Sequence, residues 1–158
     1  MVDYPVTEGV IDKIQEETTL QSKNNEDLLV LLKRAQSKFD CVPEEVITEI
    51  AKSLNISISE VYGVATFYSF LSKKPLGRNV IRICKSLPCS LKNYQMIIKS
   101  VEDELGIKTG ETTPDGKFSL ELTNCIGTCD KAPAMLINND VHGHLTPKKI
   151  SQILKTYK

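Results

Sequence analysis

The sequence predicts an α+β chain in two parts, an N-terminal small helical bundle followed by a domain built on a mixed or antiparallel sheet. Three observations carry this expectation. Apolar residues recur at helical spacing through positions 1–72, the stretch 73–79 breaks every period, and in 80–158 runs of period two alternate with helical runs.

Within residues 1–72, Val10, Ile11 and Ile14 form a first apolar stripe. A second, Leu28, Leu31, Leu32, Ala35 and Phe39, follows "NNED", which offers an N-cap and acids for the first helical turn. Pro43 suits the first turn of a third helix, whose inner face would be Val46, Ile47, Ile50, Ala51 and Leu54. The run "SISE" reads as a capping box, with Ser57 as N-cap and Glu60 reaching back from the third helical position. Beyond it, Tyr62, Phe67, Tyr68 and Phe70 fall at helical spacing. Core packing, or burial against a partner subunit, is the plainer reading of these rings than stacking on a cofactor.

The linker, 73–79, lies in "SKKPLGRN", which is basic, carries Pro75 and Gly77 and has no apolar period. In the third segment, 80–158, "VIRI" (80–83) is strand-like. The segment from Leu91 to Leu105 is helical, with Leu91, Tyr94, Ile98, Val101 and Leu105 on one face. "TTPDGK" is a turn, and "KFSLELT" alternates, Phe118, Leu120 and Leu122 against Lys117, Ser119, Glu121 and Thr123. "AMLI" is a short strand entered through Pro133, "NND" a hairpin turn and "VHGHL" the return strand. Thr146 and Pro147 open a last helix carrying Ile150, Ile153, Leu154 and Tyr157.

Twenty basic and twenty acidic side chains cancel, so no net positive field recruits nucleic acid or an anionic membrane. No stretch approaches the roughly 20 apolar residues of a membrane span, and "VYGVATFYSFL" is short enough to be a buried helix. Neither a secretory signal nor an organelle presequence is legible in "MVDYPVTEGVIDKIQEE". A cytoplasmic protein is therefore expected, with no nucleic-acid partner and no direct membrane insertion. In a reducing compartment, clustered cysteines point to metal or redox chemistry ahead of disulfides.

Four of the five cysteines fall into two close pairs. Cys84 and Cys89 stand as C-x4-C in "CKSLPC", and Cys125 and Cys129 as C-x3-C in "NCIGTCDKAP". Each pair lies just past a predicted strand, so if those strands are parallel neighbours the two loops meet and present four thiolates to one site. Gly127 permits a positive φ and close approach of backbone N–H groups, which tune iron–sulfur centres by donating to sulfur. Cys89 is expected just before a helix N-terminus capped by Ser90, where the positive end of the helix favours thiolate, and Lys85 adds charge of the same sign. Spacing alone leaves three occupants open: a [2Fe–2S] cluster, structural zinc, or a disulfide or dithiol pair, although neither pair is the C-x-x-C of thiol oxidoreductases. Cys41 reads as a packing residue. His142 and His144, two apart in a predicted strand, read as an exposed hairpin face before a metal pair.

The combination of "CKSLPC", "GETTPDGKFSL", "CIGTC" and the following "AP", "INND" and "LTP", with "ISEVYGVATFYSF" in the helical part, resembles the thioredoxin-like [2Fe–2S] ferredoxin family. That family includes the small iron–sulfur subunits of respiratory complex I, of NAD(P)-linked and often electron-bifurcating [FeFe]-hydrogenases, and of some formate dehydrogenases. The resemblance implies a thioredoxin-like domain over 80–158 and one [2Fe–2S] cluster ligated by Cys84, Cys89, Cys125 and Cys129. It also implies one-electron carriage beside an NAD(P)H-binding flavoprotein subunit, which would hold FMN and NAD(P), and further iron–sulfur subunits. The assembly expected first is a soluble or bifurcating hydrogenase, with a complex I type beside it. Lys85, in place of a small polar residue, and Asn124, where many relatives carry an acid, depart from the pattern and bear on tuning only. No G-x-G-x-x-G follows a strand, no P-loop is present and no nucleophile is paired with a base, so catalysis by this chain alone is not expected. The rival from another class is an interaction module stabilised by zinc on four cysteines, without a redox role.

Overall fold

The computed structural model describes residues 26–157. The stripe Val10, Ile11, Ile14 and the asparagines of "NNED" lie outside them. The chain divides into two compact units, 1–75 and 76–158.

In the first unit, α1 (Glu26–Phe39), α2 (Glu44–Leu54) and α3 (Ile58–Phe67) pack around one core. Leu28, Leu31, Leu32 and Ala35 of α1 meet Val46, Ile47, Ile50 and Ala51 of α2 and Val61 and Ala65 of α3. The i, i+3, i+4 spacing of these residues puts them on one face of each helix. Helix α2 ends at Asn55 in the left-handed conformation, and α3 starts where Ser57 Oγ accepts from the Glu60 N–H at 3.2 Å. The Gln36 amide ties the chain after α3 back to α1, donating to Phe70 O and accepting from Ser72 N–H. The core-packing reading of the aromatics does not hold. Tyr62, Phe67, Tyr68 and Phe70 are all exposed, Phe67 at 77%. Val61 and Ala65 alone fill the buried stripe of α3, which leaves the rings off the core face.

The second unit runs β1 (Asn79–Cys84), α4 (Leu87–Leu91), α5 (Tyr94–Leu105), β2 (Phe118–Thr123), a 3-10 turn at Cys129–Lys131, β3 (Met135–Ile137), β4 (Asp140–His142) and α6 (Pro147–Thr156). The sheet is mixed, in the order β2-β1-β3-β4. Strands β1 and β2 are parallel, with Ile81 opposite Leu120 and Cys84 opposite Thr123, while β3 is antiparallel to β1 and β4. One sheet face carries Ile81, Ile83, Leu120, Met135 and Ile137, and it packs with Ile97 and Val101 of α5 and Ile150 and Leu154 of α6. Burial of that face is the main stabilising force of the unit.

Three local expectations are revised. The helix read from Leu91 to Leu105 is two helices, because Asn93 adopts φ 56 between them. Leu91 then lies off the core at 78% exposure, and Ile97 takes its place. Ser119 and Thr123, on the polar side of β2, are nonetheless buried. Ser119 Oγ accepts from the Gly77 N–H at 2.7 Å and pairs with Thr112 Oγ1 at 2.6 Å, which satisfies its hydroxyl. The return strand stops at His142, after a two-residue turn in which Asn138 has φ 55 and its Oδ1 accepts from the Val80 N–H. Among the described residues, no helix is long and apolar enough to cross a membrane.

Candidate metal centre

Parallel pairing of β1 and β2 delivers both cysteine loops to the same edge of the sheet. Cys84 is the last residue of β1, held there by its N–H to Ala134 O at 3.1 Å and by the Lys85 N–H to Thr123 O at 3.0 Å. The chain then turns through Ser86 into α4, which starts with Pro88 in its first turn and carries Cys89 on its inner side. Cys89 thus sits inside a short helix rather than ahead of one, which corrects the expected cap at Ser90; Ser86 is the N-cap position. Cys84 and Cys89 are both 2% exposed and, with Ala134, form a buried cluster against which Tyr94, Ile126 and Ala132 pack. Ile126 belongs to the second cysteine loop, so the two loops touch.

Cys125 and Cys129 are exposed. Their sulfurs lie 3.4 Å apart, and the Gly127 N–H donates to Cys125 Sγ at 3.4 Å from a backbone at φ 82. Two thiolates on one tetrahedral metal with bonds of ~2.3 Å would be separated by ~3.8 Å, close to this spacing. The 3-10 turn that starts at Cys129 is closed by the Lys131 N–H on Thr128 O and the Ala132 N–H on Cys129 O.

Burial acts to raise the Cys84 pKa, but hydrogen bonding from the Ser86 backbone, the Cys89 thiol and the Ile126 backbone outweighs it, and the net direction is down. Cys89 is pushed up to about 11, by burial first and then by Cys84 and Cys129, against hydrogen bonding at Ala134. Cys129 is raised by its bond with Cys125, by desolvation and by the charges of Cys125, Cys84 and Asp130. Cys89 and Cys129, both raised in part by neighbouring sulfur, are donors that a cationic centre would stabilise as thiolates. A further signal is Thr128 Oγ1, buried in the Cys125–Cys129 loop without a hydrogen-bond partner. A hydroxyl so placed fits a neighbour that accepts, such as a sulfide or thiolate.

Among the described residues, no three His, Cys, Asp or Glu side chains converge to hold a single metal ion; the sulfurs stand as two pairs. Cys41 is buried in the first unit and belongs to neither pair. His142 and His144 do not form a site. His142 Nε2 bonds Tyr157 at 2.9 Å, and His144 sits in left-handed backbone with its N–H on Lys131 O. Thr128, Ile126 and Ala134 were not singled out as site residues from the sequence, and Tyr94 was read only as part of an apolar helix face. Only the position of Thr128 between two ligand candidates could have signalled its role.

The profile of the thioredoxin-like [2Fe–2S] ferredoxin family matches residues 11–158. One NADH-quinone oxidoreductase subunit, from Escherichia coli (strain K12), is 48% identical over 127 residues, covering 80% of this chain and 76% of that protein. Its namesake from Buchnera aphidicola subsp. Acyrthosiphon pisum (strain APS) is 41% identical over 161 residues, covering 99% of this chain and 97% of its own length. Among solved structures, an NAD+-reducing [NiFe]-hydrogenase in the air-oxidized state matches with a TM-score of 0.66 at 24% identity. That match covers 83% of this chain but spans 22% of the hydrogenase chain, and the likeness is one of fold. With the profile running from the eleventh residue to the last and near relatives along the same stretch, this chain belongs to the thioredoxin-like [2Fe–2S] ferredoxin family.

Proposed function

We propose that this chain is a one-electron carrier that holds one [2Fe–2S] cluster on Cys84, Cys89, Cys125 and Cys129. The observation that carries the reading is the meeting of two cysteine-pair loops at the ends of parallel β1 and β2, through the cluster of Cys84, Cys89 and Ala134 with Ile126. A bound cluster supplies reversible uptake of a single electron. The chain's own residues supply the rest. Buried Cys84 and Cys89 hold one side away from water, the Gly127 N–H offsets charge on Cys125, and the exposed Cys125–Cys129 side leaves a path to a partner. The rival zinc site would draw the same four thiolates to one point, whereas a [2Fe–2S] cluster takes them as two pairs, one on each iron.

The domain division follows the same reading. Residues 80–158 carry the cluster, 73–79 link, and 1–72 form a helical bundle. The exposed Leu87 and Leu91 on α4, beside Cys89, are the kind of apolar surface that a partner subunit covers. That partner is a flavoprotein with FMN and an NAD(H) site, joined by further iron–sulfur subunits, in the cytoplasm. Since the relatives at 41% and 48% identity are subunits of NADH-quinone oxidoreductase, the quinone-linked complex takes precedence over the hydrogenase first expected. Hydrogenase kinship is supported by fold likeness alone.

Purification without oxygen, with iron, acid-labile sulfide and zinc measured per chain, tests the carrier. About two irons and two sulfides, with an EPR signal that appears only on reduction by dithionite, are expected. Zinc without sulfide would overturn it. Isolation of the native assembly, followed by NADH-driven reduction of a quinone or of protons, tests the setting.

A further inference from the structure

We propose that Gly143 is a positioning residue for the ligand loop, and that its missing side chain sets where Cys129 stands. The inference rests on the cluster assignment above. Unlike Gly127, Gly143 does not occupy the left-handed region, so its backbone angles do not require glycine. Space does. A Cβ built at position 143 would overlap Lys131 Cβ, and it would stand 2.9 Å from Lys131 O, closer than carbon and oxygen approach without something shifting. By contrast, a Cβ at Gly63 or Gly106 would meet nothing within 4 Å.

Lys131 is the last residue of the 3-10 turn that begins at Cys129, so pressure on it acts two residues from a ligand. Segment 143–145 has little freedom to draw back from that turn. Lys131 O accepts from the His144 N–H at 2.6 Å, and Pro133 O accepts from the Leu145 N–H at 3.1 Å. Leu145 is itself buried in the core. Position 143 is pinned from the other side by Lys149 Nζ of α6, which donates to Gly143 O at 2.7 Å. The segment 143–145 is therefore a rigid abutment, and any bulk at 143 is relieved by movement of the Cys129 turn. That movement would change the Cys125–Cys129 separation, on which the electronic structure and potential of a cluster depend.

The test uses the full chain loaded anaerobically, with Gly143→Ala and Gly106→Ala compared to the natural protein. Gly106→Ala forces a side chain into left-handed backbone at the end of α5, and so lowers stability without pressing on Lys131. Gly143→Ala is expected to shift the EPR g-values and the midpoint potential and to raise the rate of iron loss to a chelator several-fold. Gly106→Ala is expected to lower the thermal midpoint and leave the spectrum and potential unchanged. Gly143→Ala/Lys131→Gly, which removes the nearest clashing atom, should return the spectrum toward that of the natural protein. If Gly143→Ala alone does not fold, recovery of fold and spectrum in the double variant supports the inference and failure to recover overturns it. Natural-type spectrum and potential in Gly143→Ala overturn it as well. A natural chain that takes up no iron and sulfide would instead overturn the cluster assignment, and this inference with it.

Discussion

The Sγ of Cys125 lies 3.4 Å from the Sγ of Cys129, with the intervening Gly127 N–H directed at the first of these sulfurs. Two exposed thiols held at that distance by a glycine with φ 82 would supply half of the proposed ligand set, and the buried Cys84–Cys89 pair the other half. Replacing any one of the four by Ser swaps a soft thiolate for a poorer oxygen ligand. Each replacement is therefore expected to lower iron from about two per chain or to change the reduced EPR signal. Cys41→Ser should leave both intact while costing roughly 1–3 kcal/mol of stability, because Cys41 is 1% exposed and a hydroxyl there is harder to bury. Iron content and spectra of the five single variants check this. An unchanged spectrum in Cys125→Ser would remove Cys125 from the ligand set.

Thr128 Oγ1 is buried without a partner in the same loop. In the cluster-free chain this costs the desolvation of a hydroxyl, about 1–3 kcal/mol, which a methyl of the same shape does not incur. Thr128→Val should therefore make the cluster-free chain more stable by about 1 kcal/mol in urea unfolding. In the loaded chain the gain should shrink, since a sulfur acceptor then partners the natural hydroxyl. Equal gains in both forms would mean that the hydroxyl does not face the cluster.

Two helix starts were plain in the sequence because a cap is a local event. Ser57 and Thr146 each accept from the backbone N–H three residues on, at 3.2 and 3.3 Å. Ser57→Ala and Thr146→Ala should each cost about 1 kcal/mol, measured by thermal or urea unfolding. The paired cysteines were equally plain, because C-x4-C and C-x3-C are local spacings and the parallel register of β1 and β2 did the rest. Features that depend on a distant neighbour were not legible. Asn93 breaks a helix whose apolar period runs on through Leu91, Tyr94 and Ile98, so periodicity could not reveal the break. Ser119 looks solvent-facing by alternation, yet it is buried beneath Gly77 and Thr112, which come from other segments. Gly143 carries no sign of its closeness to Lys131, twelve positions away in a different turn.

His142, Tyr157 and Asp140 form a titratable chain at the edge of the sheet. The Tyr157 hydroxyl gives its proton to Asp140 Oδ2 at 2.8 Å and so accepts from His142 Nε2–H at 2.9 Å. Burial and Asp140 push the Tyr157 pKa up to about 12, so it is neutral throughout the physiological range. Burial lowers the pKa of His142 despite the attraction of Asp140, and Lys149 lowers it further. The folded chain thus binds the imidazole proton more weakly than the unfolded one, whose histidine titrates near ~6.5. Above that pH the imidazole is neutral in both states and its contribution to stability is fully present. Below it the unfolded chain takes up the proton first, and stability falls with pH until the folded His142 is protonated as well. In the cluster-free chain, the unfolding free energy should decline as pH drops from about 7 through ~6.5 and below, and His142→Gln should flatten that part of the curve. Parallel curves for the two proteins would mean that His142 titrates alike in both states, and that its burial does not disfavour the charged imidazole.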